Sequence, residues 1–141
     1  MRFMLSSVAP LVVSILFLSS QVTGQETLYQ SYYSAASNAF KAKDWEAARR
    51  SYQSSYDAAV AAWGKEDARA AECIFNVGAS IHSSGDIIGA RKYYTMAYTA
   101  TYRHTDKLRR ELAIESALKM SEGLIKEKRP ADAIPYLEWG M

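Results

Sequence analysis

The pattern that most constrains this chain is its repetition of itself at an interval of 42 to 43 residues. Lys43-Asp44-Trp45-Glu46-Ala47-Ala48-Arg49 lines up with Gly85-Asp86-Ile87-Ile88-Gly89-Ala90-Arg91, and more loosely with Lys128-Arg129-Pro130-Ala131-Asp132-Ala133-Ile134. Around each segment a second spacing recurs: a small residue, an Ala twelve on, a large apolar residue four further, and a small one after three more. The sets are Ala36, Ala48, Tyr52, Ser55; then Gly78, Ala90, Tyr94, Ala97; then Ser121, Ala133, Leu137, Gly140. Such periodicity marks stacked supersecondary units in place of one irregular core. Small residues at fixed places on two helices let the backbones approach, and the large residue fills the gap beside them. The unit is an antiparallel helix pair.

Apolar periodicity and helix breakers place the elements. A first helix is expected from about Glu26 to Ala42, and a second from Trp45 to Trp63, with Trp45, Ala48, Tyr52, Tyr56, Ala59 and Trp63 on one stripe and Gly64 as its stop. Asp67 opens a third, carrying Ala71, Ile74, Phe75, Gly78 and Ile81, which the Gly85-Asp86 turn closes. A fourth spans about Ile87 to Tyr102. Thr105-Asp106 caps a fifth, about Lys107 to Glu127, bearing Leu108, Leu112, Met120 and Leu124. Pro130 suits the first turn of a sixth, ending near Met141. No alternating apolar run occurs, so no sheet is expected.

The first residues stand apart from this pattern. Arg2 is the only charge before Glu26, and Val8 to Leu18 is an apolar run broken only by Pro10 and Ser14. A positive start, a brief apolar stretch and small side chains at Val22 and Gly24 predict a cleaved signal segment, 1–24, with cleavage after Gly24 and a secreted or periplasmic mature chain, 25–141. The run is too short to cross a bilayer comfortably, which takes about 20 apolar residues. An uncleaved anchor is the alternative, and the only route by which a membrane would be involved. The lone Cys73 forms no internal disulfide, and 17 Lys+Arg against 15 Asp+Glu create no field that would attract nucleic acid.

The small/Ala/aromatic/small spacing, the Gly85-Asp86 turn and the Trp45-Glu46-Ala47-Ala48 turn resemble the tetratricopeptide repeat family. The period is most similar to the longer repeats of kinesin light chains and their bacterial relatives, and Asn76-Val77-Gly78 resembles the Asn-Leu-Gly of their first helix. The likeness covers residues 29–140, with repeats at about 29–63, 71–104 and 114–141. It is weakest in the third, where Lys128-Arg129-Pro130 replaces the Gly-Asp turn and Lys119 stands where the second repeat has Asn76. It implies an all-α, right-handed solenoid of three antiparallel pairs, whose concave face, lined by the first helix of each pair, receives a peptide.

Family geometry carries that lining onto Tyr33, Ser37 and Phe40, onto Phe75, Asn76, Ala79 and His82, and onto Leu118, Lys119 and Glu122. Asn76 would pair with a ligand amide through both donor and acceptor; Tyr33, Phe75 and Leu118 would supply the apolar anchor. Other readings stay open. Asn76 serves equally as an internal helix-to-helix bond, Phe75 and Tyr33 are more often core than groove on helices this aromatic, and Cys73 is a half-buried spectator. Arg103, His104, Lys107, Arg109 and Arg110 form either a solvated face or a contact for an acidic partner. The tyrosines pack helices or stack a sugar or peptide.

Nothing in the sequence points to catalysis or to a cofactor. It has no nucleophile elbow, His-Glu-x-x-His or Cys-x-x-Cys, and His82 and His104 stand apart from any metal-ligand set. The expected role is an exported protein–protein interaction scaffold, not an enzyme. The alternatives are the amino-terminal docking part of a larger exported enzyme and a self-assembling spacer. The last helix is short, and Ile134, Leu137 and Trp139 are expected to lie uncovered, either because the chain is a truncated piece of a longer array or because this end meets a partner or a second copy.

Overall fold

The computed structural model describes the backbone of residues 9–141 and the side chains from Gly24 onward. The segment expected to be a cleaved signal falls on residues 1–8, outside the described residues, and on 9–23, whose side chains also lie outside them. Six helices follow one another: α1 (Ala9–Lys41), α2 (Trp45–Trp63), α3 (Ala68–Ser83), α4 (Ile87–Thr101), α5 (Lys107–Lys126) and α6 (Pro130–Gly140). Each packs on the next, making three consecutive pairs in an all-α, solenoid-like array with no strand among the described residues.

Helices α2 to α6 begin and end close to their predicted bounds. The first helix does not: it starts at Ala9, not Glu26, and runs unbroken through Gly24. After Pro10, which fits a first helical turn, no residue before Lys43 forces the backbone out of the helix, and a single Gly within one costs only about 1 kcal/mol.

The turn inside each pair repeats as faithfully as the sequence around it. Lys43, Gly85 and Lys128 all adopt positive φ, at 61°, 104° and 61°. At each turn the following amide reaches back to close the helix: Asp44 to the Ala39 carbonyl, Asp86 to Ile81, and Arg129 to Leu124. This is the Schellman closure, in which a left-handed residue lets the chain satisfy orphan carbonyls. Asp44 and Asp86 then cap the next helix, accepting from the Ala47 and Gly89 amides at 3.1 and 2.8 Å. At the third turn Arg129 offers no cap, and Pro130 opens α6 without one.

Between pairs, Asp67 and Asp106 cap α3 and α5 by accepting from the Arg69 and Arg109 amides. The Arg69 side chain, bonded to Asp67, holds that carboxyl below the usual carboxylate range. The Arg109 guanidinium also donates to the Glu66 carbonyl at 3.1 Å, tying the two inter-pair loops together.

The repeated small positions lie at the centre of the pairs. Ala36, Ala48, Gly78, Ala90, Ser121 and Ala133 are all buried. A Cβ at Gly78 would stand 3.1 Å from the Tyr94 ring, so glycine is what lets α4 lie this close to α3. The main core joins Ala36, Ala48 and Ala90 to Tyr52, Ile74, Phe75, Val77, Tyr94 and Met120. A second cluster gathers Tyr29, Ala58, Ala59, Ala70 and Cys73 beside Trp63.

Two expectations need correction. Leu108 does not point inward; it is exposed at the mouth of a cleft. Cys73 is fully buried, not half-buried, because it lies on the face of α3 that meets α2. Its thiol donates to Ser55 Oγ at 3.4 Å, and burial pushes it up to about 12.

The turns make a prediction. A left-handed non-glycine residue carries about 1–2 kcal/mol of strain, partly offset because Gly loses about 0.5–1 kcal/mol more backbone entropy on folding. Lys43→Gly and Lys128→Gly should each raise stability in urea denaturation by up to about 1 kcal/mol, and Gly85→Ala should lower it by about 1 kcal/mol. Destabilisation by both Lys→Gly changes would show that the turns are held by their side chains.

Candidate functional cleft

Stacking the pairs brings α1, α3 and α5 side by side, and the predicted groove residues divide over that face. Tyr33 on α1 donates to Glu72 Oε1 on α3 at 2.6 Å, a bond between neighbouring pairs that the sequence reading did not include. Burial, and then this donated bond, push the Tyr33 hydroxyl well above its ordinary value. Its ring stands edge-on to Tyr52 at 5.6 Å, so Tyr33 packs the first pair and bonds across to the second. Phe40 sits edge-on to Trp45 at 5.1 Å and flanks the core, and Ser37 is half-buried beside it in sequence.

Between α3 and α5 lies an open cleft of about 340 Å³, lined by Ala68, Glu72, Phe75 and Asn76 on one wall and Leu108, Glu111, Leu112 and Glu115 on the other. Phe75 is buried against the Tyr94 ring, 5.0 Å away, with its edge in the cleft. Asn76 is half-buried. Its backbone carbonyl accepts from Ser80, while among the described residues nothing hydrogen-bonds its carboxamide. The internal helix-to-helix role for Asn76 is therefore not what the geometry shows.

The expected α5 residues occupy the other end of the same face. His82 Nδ1 lies 3.4 Å from the Tyr94 hydroxyl, and its Nε2 lies 3.5 Å from Glu122, which also takes Lys119 at 3.4 Å. Ala79 packs at the edge of the core. Leu118 is exposed and is not among the residues that line the cleft.

Sequence reasoning missed Glu72, Leu108, Glu111, Leu112 and Glu115. The signal was present as an i, i+3, i+7 row at Leu108, Glu111 and Glu115, but that row is polar and reads as solvent-facing until a neighbouring helix closes a cleft over it.

The basic run also resolves into separate contacts. Arg109 pairs with Asp106 at 3.0 Å and Lys107 lies 3.8 Å from Glu111, while Arg103 rests over the Tyr102 ring. Among the described residues no group of His, Cys, Asp and Glu converges as metal ligands do, and no helix is long and apolar enough to cross a membrane.

At the C-terminal end, Ile134 is exposed and Leu137 half-buried. Trp139 is exposed too, while one edge of its ring meets Tyr98 at 5.2 Å. Comparison with protein-family models gives no match, and no curated protein matches the chain.

The Tyr33–Glu72 bond is short, half-buried and charge-assisted, a class that contributes about 1.5–3 kcal/mol. Tyr33→Phe should lower stability in urea denaturation by roughly 1–2 kcal/mol, keeping the ring and losing only the bond. An unchanged midpoint would show that the bond adds nothing to the stacking of the first two pairs.

Proposed function

We propose that this chain is an exported binding scaffold, without catalytic activity of its own, that holds an extended segment of a partner protein in the cleft between α3 and α5. The observation that carries this reading is Asn76. Its carboxamide has no hydrogen-bond partner among the described residues, yet it stands on the wall of an open cleft, beside the edge of Phe75. A side-chain amide with donor and acceptor both free is suited to pairing with a peptide bond in transit along the groove. Phe75, Leu108 and Leu112 offer an apolar floor. Glu72, Glu111 and Glu115 place three carboxylates around it, which favours a segment carrying a lysine or arginine next to an apolar residue.

The resemblance to tetratricopeptide repeats, in which the same face receives peptides, supports this reading. The signal-like composition of residues 1–24 supports export.

Fluorescence anisotropy on a panel of extended peptides, each pairing one basic with one large apolar residue, tests the proposal. Asn76→Ala should weaken the best binder tenfold or more, equivalent to about 1.4 kcal/mol. The double change Glu111→Lys/Glu115→Lys should weaken it further and remove its salt dependence. Both positions are exposed, so the fold is preserved. Peptides that bind equally to wild type and to both variants would place the site elsewhere. Absence of binding by any peptide of the panel would overturn the reading.

A further inference from the structure

The first and third pairs each leave uncovered one half of the interface by which neighbouring pairs stack. On the first helix of a pair, four positions face the preceding pair. In α3 they are Ala70, Cys73, Val77 and Ser80, and in α5, 43 residues on, they are Ala113, Ser116, Met120 and Gly123; all eight are buried. In α1, 42 residues before the α3 set, they are Leu28, Ser31, Ala35 and Asn38, and all four are exposed.

The other half of the interface is the row that receives them. In the second pair it comprises Phe75, Arg91, Tyr94 and Tyr98. The Arg91 stem lies so close to Gly123 that a Cβ there would stand 3.2 Å from it. In the third pair the same positions, 43 residues on, are Leu118, Ile134, Leu137 and Met141. Phe75 is 7% exposed, whereas Leu118 is 48% and Ile134 51%, with Leu137 half-buried between them. Large apolar side chains therefore stand open on the third pair, and a row of mostly small residues in the matching register stands open on the first.

We infer that the chain stacks head to tail on a second copy of itself, the Leu118–Ile134–Leu137–Met141 end of one copy receiving the Leu28–Ser31–Ala35–Asn38 face of the next. The occupant is identified by how one internal contact changes at the ends. Arg91 pairs with Glu127 at 2.9 Å where α4 meets α5. The positions that correspond to these across a junction between copies are Ile134 and Ala42, so an ion pair becomes an apolar pair and neither partner is left with a lone charge. Glu138 on α6 meets a stretch of α1 that has no carboxylate between Glu26 and Asp44. Two-fold pairing of C-terminal ends would instead bring Glu138 toward its own copy. A head-to-tail contact joins unlike surfaces, so it extends into open stacks.

Light scattering on the full chain against concentration, with two blocked variants, tests this. Leu118→Glu/Ile134→Glu blocks the receiving end, and Ala35→Arg blocks the α1 face; all three sites are exposed, and circular dichroism checks that the helices remain. The wild type should gain mass with concentration in steps of one monomer. Each variant alone should be a monomer, and an equimolar mixture should form a dimer and nothing larger, since only one junction is then intact.

A monomeric mixture overturns the inference, as does a wild type that stays monomeric at every concentration. Assembly that survives Ala35→Arg alone would mean two-fold pairing of C-terminal ends. Assembly that survives in both variants would mean a different surface. Either result also overturns it.

Discussion

The close approach of the two helices within each pair is the contact on which the rest of this structure depends. It rests on three pairs of small residues, Ala36 with Ala48, Gly78 with Ala90, and Ser121 with Ala133, all of them buried. At the middle pair the tolerance is narrow, because Tyr94 and the Tyr93 stem would have to give by a few tenths of an ångström to admit one further carbon at Gly78. Interiors packed to this density resist added volume, at a cost of about 1–3 kcal/mol for an inserted group. The distance set there decides how far the large residue of each set projects, and hence which surface the next pair meets.

From that geometry the pairs stack as neighbours and share their apolar burial only with neighbours. The second pair has one on each side, and its Tyr94, Ala97 and Thr101 are essentially inaccessible. The third pair has one, and α6 is its weakest element: 11 residues, no side-chain cap, and Pro135 within. A proline there removes an amide donor and crowds the preceding turn. The same stacking that buries Cys73 and Phe75 lifts α5 across α3 and leaves the cleft between them. The wall that carries Asn76 is thus a product of the core, rigidly held by the residues beneath it.

Much of this was legible in the sequence because it was written twice or three times. The 42 to 43-residue interval located the turns even where the third has Lys128 in place of glycine, and the structure places all three in the same positive-φ closure. What was not legible has a common physical origin. An amphipathic period says which residues share a face and not what covers it. Leu108 and Leu112 lie one turn apart, yet Leu108 is exposed and Leu112 flanks the core. Cys73 reads as peripheral beside Glu72 until α2 closes over it. Glu111 and Glu115 read as solvated until α3 stands opposite. Leu137 reads as uncovered beside Ile134, yet it is half-buried. The continuation of α1 back to Ala9 shows only that nothing between Pro10 and Lys43 forces the helix to stop.

The central claim is that each pair is stabilised chiefly by its neighbours and that the second pair, having two, is the most stable part of the array. Native-state amide hydrogen exchange at a concentration where the chain is monomeric measures this helix by helix. The account predicts the slowest exchange in α3 and α4, approaching the global unfolding free energy, and the fastest in α6, with α5 between them. Equal protection across all six helices, or a slowest-exchanging α6, would contradict it.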